Sequence, residues 1–227
     1  MRIAAVVTID GPSGSGKGTV SRAVARHTGW HLLDSGALYR LVAWAGLECR
    51  LPPDDIAGHA QLADSMQISF GVRPDGTELV TLFGRDVTPQ VRSEIAGQGA
   101  SRVAAWPEVR TALLERQRAF CRPPGLIADG RDMGTVVFPD AALKIFLTAS
   151  PAERALRRYK QLKDKGSDVS LPALSREIAE RDLRDSTRKV SPLKAAPDAH
   201  LIDSTELAID KVVDRVVVLG RSCSLWP

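Results

Sequence analysis

Apolar positions along this chain fall into short β-branched runs separated by stretches with helical spacing. The first run, residues 2–9 (RIAAVVTI), is continuous rather than alternating, which predicts a strand buried on both faces. Glycines follow, and then Val20, Ala23, Val24 and His27 share one side of a predicted helix. A second short strand is expected at 31–33, ahead of the triplet DSG. Residues 37–47 carry apolar positions at helical spacing, with Asp34 or Ser35 as the cap.

From Leu51 to about Gly97 the pattern changes, with PPDD followed by ISFGV, RPDG and ELVTLFG. Two strands joined by the turn residues Pro74, Asp75 and Gly76 are expected, in a small β-rich insertion. Residues 94–120 have helical character broken at Pro107, whose ring cannot continue a helix begun before it, so two helices meeting at a bend are predicted. The apolar runs GLIA (125–128) and LKIFL (143–147) restore the buried-strand pattern. A basic helix over 152–163 opens at Ser150 and Pro151; another follows at 173–185, then a strand at 200–202 and a closing helix at 206–219. Strands alternating with helices define an α/β class, a parallel sheet flanked by helices. No internal repeat or low-complexity tract interrupts it, and one domain over 1–227 is expected.

An apolar fraction of 44% and a charged fraction of 26% exclude disorder and fibrous repeats. Cys49, Cys121 and Cys223 are odd in number and far apart, which argues against a disulfide scaffold or a zinc site and fits a reducing, cytoplasmic compartment. The first apolar run is too short for a signal-peptide core and no later run has membrane-spanning length, so no membrane partner is expected. His27, His31, His59 and His200 have no metal-like spacing and are read as surface or cap residues. The net charge of +4 raises the question of nucleic acid, but Arg176, Arg181, Arg184, Arg188 and Lys189 lack interleaved aromatics, and a small phosphorylated ligand explains them better.

The strongest signal is GPSGSGK, Gly11–Lys17, which fits G-x-x-x-x-G-K between an apolar strand and a helix. Gly11, Gly14 and Gly16 let backbone N–H groups turn around a phosphate, the following helix points its N-terminus at the anion, and Lys17 supplies a mobile charge. ATP binding is therefore assigned to Gly11, Pro12, Ser13, Gly14, Ser15, Gly16, Lys17, Gly18 and Thr19. Gly18 stands where a hydroxyl usually ligates Mg²⁺, and Thr19 comes one step later. Protein-held metal is thus not expected; Mg²⁺ would arrive with ATP.

Phosphoryl transfer needs positioning and charge neutralisation more than covalent chemistry. Arg40 in LDSGALYR, Arg131 in ADGRDMG, and Arg181, Asp185 and Arg188 in ERDLRDSTR supply it. The last three, at i, i+4 and i+7, share a helical face if the helix persists to Arg188. Asp129, Arg131 and Asp132 follow a strand of a parallel sheet, where ligands of open α/β folds bind. Lys17, Arg131, Arg181 and Arg188 are the candidate catalytic residues.

Together GPSGSGKGT, LLDSGALYR, LIADGRDMGTVVFPDA and EIAERDLRDSTR resemble the bacterial cytidylate kinases, in that order and over nearly the whole chain. The resemblance implies a P-loop nucleoside monophosphate kinase fold. Its parts would be a core (1–50, 98–150 and 190–227), a monophosphate-binding insert (about 51–97) and a helical lid (about 155–189). It implies that Ser13, Ser35, Arg40, Arg131 and Arg188 surround the acceptor phosphate, that Arg181 and Asp185 contact the sugar, and that Ser101, Arg110 and Asp132 read cytosine. Cytosine offers an exocyclic amine that suits Asp132, and N3 and O2 acceptors that suit Arg110. The expected reaction moves the γ-phosphoryl group of ATP to CMP or dCMP, in a monomer with no nucleic-acid partner. Read without the resemblance, the residues also admit a kinase for another small acceptor, such as UMP, dTMP or shikimate, a P-loop ATPase or GTPase switch, or a basic nucleic-acid-binding protein whose loop is incidental. A switch would carry GK[ST] and a strand ending in an acidic pair. Residues 222–227 have no sequence reading.

Overall fold

The computed structural model describes residues 4–75 and 77–227; Arg2 and Ile3 of the first expected strand and Gly76 of the expected turn lie outside the described residues. The chain divides into two compact units, one of residues up to Asp34 with Gln117–Pro227, the other Ser35–Arg116.

The strands run in chain order as β1 (Ala5–Asp10), β2 (His31–Asp34), β3 (Ile68–Val72), β4 (Glu78–Leu82), β5 (Arg85–Asp86), β6 (Gly125–Gly130), β7 (Leu143–Thr148) and β8 (His200–Asp203). In the first unit five of them lie parallel in the order β2-β6-β1-β7-β8. All six residues of β6 are buried, as a strand covered on both faces must be. The helices of this unit are α1 (Lys17–Thr28) and, after those of the second unit, α7 (Pro151–Asp164), α8 (Leu171–Thr187) and α9 (Ile209–Ser222). Val20 and Val24 of α1 and Val212 and Val216 of α9 close over Val7, Ile9, Ile127, Ile145 and Leu147 of the sheet. Trp226, past the end of α9, meets the Trp30 ring edge-on at 5.3 Å and donates from Nε1 to Val217 O at 3.0 Å. The indole lies so close that a Cβ on Gly220 would sit 1.7 Å from it. The unread tail therefore packs against the core.

In α8 the helix stops at Thr187, and Arg188 caps it at φ −56°, ψ 136°. The helix is thus one residue short of the length needed to carry Arg188 on the face of Arg181 and Asp185. The Asp185 carbonyl accepts from Leu193 N at 2.7 Å, which takes the acceptor that Lys189 N would use if the helix continued.

The second unit holds α2 (Ser35–Glu48), α3 (Ile56–Ser65), α4 (Thr88–Val91), α5 (Glu94–Val103) and α6 (Pro107–Arg118), whose last two residues fall in the first unit, beside the antiparallel sheet β3-β4-β5. Pro107 opens α6, as the broken pattern predicts. Helix α3, which the turn-rich PPDD stretch conceals, is capped by Asp55, whose carboxylate accepts from Gly58 N at 2.9 Å. His59 of this helix is not a surface residue. It is 5% exposed, packed edge-on against Trp106 and close enough to α2 that a Cβ on Gly46 would meet its ring.

Candidate active site

Strand β1 delivers the chain into the glycine loop, and α1 opens at Lys17 with Gly16 at φ 95° as its cap. Gly11 admits no side chain, because a Cβ there would lie 1.9 Å from Leu147 O. The Lys17 ammonium folds over the loop and donates to Pro12 O at 2.8 Å. The Ser15 hydroxyl is buried without a hydrogen-bond partner. Gly11–Thr19 thus form a closed turn at a helix N-terminus with a cation laid across it, the arrangement that receives a polyphosphate.

At the neighbouring strand end, β6 presents Asp129, then Arg131 and Asp132, before a π-helical turn, Met133–Val137. Arg131 Nε donates to Asp185 Oδ2 of α8 at 2.9 Å. Burial works against the Arg131 charge, yet Asp185, Asp129 and Asp10 more than offset it and raise its pKa. Burial likewise opposes the Asp185 charge, and Arg131, Arg181 and Arg188 overcome it, so its pKa falls. Burial first, and then Arg131, lower the Lys17 pKa, with Asp129 and Asp10 opposing. Burial raises that of Asp129 against the pull of Lys17. Lys17, Arg131, Arg181, Arg188 and Asp185 are therefore brought together electrostatically within one unit, and Asp132, 2% exposed, adjoins Arg131. Four basic side chains are thus interleaved with carboxylates beside the glycine loop.

Ser35, Arg40, Ser101 and Arg110 belong to the second unit. Arg40 Nη1 donates to Val91 O and Ser93 O, both at 3.0 Å, which fixes the guanidinium beside α5. Arg110 Nη1 donates to Ala104 O at 3.2 Å, and its guanidinium lies 5.6 Å over the Tyr39 ring. Ser35 and Ser101 are buried.

The structure adds Asp10, which sequence reasoning missed. Its Oδ1 accepts from Met133 N at 2.9 Å and its Oδ2 from Gly134 N at 2.8 Å, which ties the start of the glycine loop to the turn after Asp132. Burial raises its pKa to about 7, against the two N–H bonds and Lys17 and with help from Asp132. A lone aspartate ending an apolar strand is the only signal it leaves in the sequence.

Fold and site together define a P-loop phosphotransferase, a kinase of small molecules. The family described as cytidylate kinase matches residues 7–221. Cytidylate kinase of Stutzerimonas stutzeri is 56% identical over 213 residues, 93% of both chains, and that of Aeromonas salmonicida 55% identical over 220 residues, 97% of this chain and 95% of the other. Among solved structures, an uncharacterized protein from Eubacterium ventriosum has the same fold, with a TM-score of 0.50 at 12% identity over 96% of this chain and 99% of that one. This chain belongs to the cytidylate kinase family, and it is a nucleoside monophosphate kinase. Among the described residues no helix is long and apolar enough to cross a membrane.

Proposed function

We propose that the residues assembled above carry the family's reaction in this chain. That reaction moves the γ-phosphoryl group of ATP to CMP or dCMP and yields ADP with CDP or dCDP. In this reading Gly11–Thr19 hold ATP, with Lys17 on its β- and γ-phosphates. Ser13, Ser35, Arg40, Arg131 and Arg188 hold the acceptor phosphate, Arg181 and Asp185 the sugar, and Ser101, Arg110 and Asp132 the cytosine. The single observation that carries it is the convergence of Lys17, Arg131, Arg181 and Arg188 on the buried carboxylates beside the loop.

An oxygen of the acceptor phosphate attacks the γ-phosphorus in line, its bond forming as the bond to the β–γ bridging oxygen breaks, and ADP leaves with that electron pair. The acceptor is already an anion and needs no strong base. Lys17, Arg131, Arg181 and Arg188 stabilise the charge on the transferring group. Residues about 155–189 act as a lid over this site and exclude water.

Mg²⁺ would come with the nucleotide. Among the described residues no group of three or more His, Cys, Asp or Glu could hold an ion by itself. Asp129 is the carboxylate nearest the start of α1, its Oδ2 3.3 Å from a Cβ built on Gly18, a point that Arg22 Nη1 also approaches to 3.3 Å. A single carboxylate suits an ion that keeps its waters and phosphate oxygens, and that ion would supply charge neutralisation when bound. The reading places the enzyme in the cytoplasm as a monomer, acting on free nucleotides without nucleic-acid or membrane partners.

Arg188→Ala tests the assignment. Its kcat should fall at least about tenfold, since one such guanidinium contributes more than about 1 kcal/mol to the transition state; a kcat within about twofold of the parent contradicts the role.

A further inference from the structure

The phosphate loop is held by its carbonyls from outside. Arg154, in the first turn of α7 and 3% exposed, donates from Nη1 to Ser13 O at 3.1 Å and from Nε to Ala149 O at 3.0 Å. The same guanidinium forms a two-pronged pair with Asp182 of α8, Nη1 to Oδ1 at 3.0 Å and Nη2 to Oδ2 at 2.5 Å. Past β8, the buried Ser204 hydroxyl lies 3.0 Å from Ser15 O and 3.0 Å from Thr148 O, and Arg157 Nη1 donates to that hydroxyl at 3.1 Å.

A trans peptide points its C=O and the following N–H in opposite directions. A donor fixed on Ser13 O therefore sets the direction of the Gly14 N–H, and a donor on Ser15 O sets that of the Gly16 N–H. Gly14 is also packed against the arginine, since a Cβ there would sit 3.1 Å from Arg154 Cβ. Dipoles aimed before the ligand arrives cost no reorganisation when it binds.

We propose that Arg154 is a positioning residue for the nucleoside triphosphate, presetting the phosphate loop through Ser13 O and linking it through Asp182 to α8, with Ser204 presetting the Ser15 peptide in the same way. Arginine is required because one planar fork reaches three acceptors on separate segments, which a lysine point charge cannot do. Asp182 holds the Arg154 guanidinium against the loop from α8. The inference rests on the reading that Gly11–Thr19 bind ATP.

The test is steady-state kinetics with ATP and CMP varied separately, on Arg154→Lys, Asp182→Asn, Ser204→Ala and Lys17→Met, each checked by thermal melting. Arg154→Lys should raise KM for ATP at least about fivefold and leave KM for CMP within about twofold, and Asp182→Asn and Ser204→Ala should shift the same parameter by about threefold. A merely structural role would lower the active fraction, and so kcat, while leaving both KM values in place. An ATP KM within about twofold of the parent in Arg154→Lys, or an equal rise in both KM values, overturns the proposal. If Arg154→Lys does not fold, the other two variants decide: a rise specific to ATP in either supports the proposal, and a rise in neither overturns it. Lys17→Met separates the two readings. Unchanged kcat/KM for ATP there removes the loop from ATP binding altogether, whereas a large loss there with no effect at Arg154, Asp182 or Ser204 defeats only the present inference.

Discussion

Arg131 Nε and Asp185 Oδ2 are joined at 2.9 Å, and this one ion pair, its side chains 19% and 6% exposed, connects the end of the central sheet to α8. Removing one partner would leave a buried charge, Arg131, beside Arg181 and Arg188. Asp185→Ala is therefore expected to destabilise the protein by about 3–5 kcal/mol. Urea unfolding of Asp185→Ala and of the double variant Arg131→Met/Asp185→Leu checks this: the double variant should recover much of the loss. Equal stabilities of Asp185→Ala and the parent would contradict it.

Asp10 makes stability depend on pH in a known direction. Its pKa is about 7 in the folded protein against 3.8 for the ordinary carboxyl, so between those values the unfolded chain has released a proton that the folded chain keeps. The contribution is fully present below about pH 3.8, declines as pH rises, and is lost above about 7. Asp10→Asn has no such group. The difference in unfolding free energy between parent and Asp10→Asn should therefore shift against the parent from pH 5 to pH 7.5, read from urea midpoints; a difference that stays constant would show that Asp10 ionises normally.

Much of this was open to reading in the sequence, for a physical reason. Parallel strands buried on both faces must be continuous apolar runs, so β1, β6 and β7 announce themselves, and the glycine loop is a local motif whose chemistry needs no long-range partner. What the sequence hid depends on distant partners. Asp10 receives its N–H donors from Met133 and Gly134, more than a hundred positions away, and alone reads as the polar end of a strand. Arg154 is one of several cations in the basic run of α7, and only the fold shows that it donates to Ser13 O. The end of α8 was legible to within two residues, but whether it reached Arg188 was not, because the bond from Leu193 N to Asp185 O comes from beyond the helix. Helix α3 hid behind prolines and acids that resemble a turn, although one of those acids, Asp55, is its cap.

The tail gives a stability effect separable from chemistry. Trp226→Ala removes the ring that packs on Trp30, and Gly220→Val drives a side chain into it. Each should cost about 2 kcal/mol, which lowers the melting midpoint by roughly 4–8 °C in a chain of this size. Because both lie away from the loop, kcat at 25 °C should stay within about twofold; a large fall in kcat with an unchanged midpoint would contradict the packing role.

The proposed reaction is tested most directly by coupled ADP release with ATP and Mg²⁺, comparing CMP, dCMP, UMP, AMP, dTMP and no acceptor at matched concentrations. Fast turnover is expected with CMP and dCMP only, since the role proposed for Asp132 is to accept from the cytosine amine, which uracil lacks. UMP turned over equally well would contradict the role of Asp132, and ATP hydrolysis that needs no acceptor would contradict phosphoryl transfer itself.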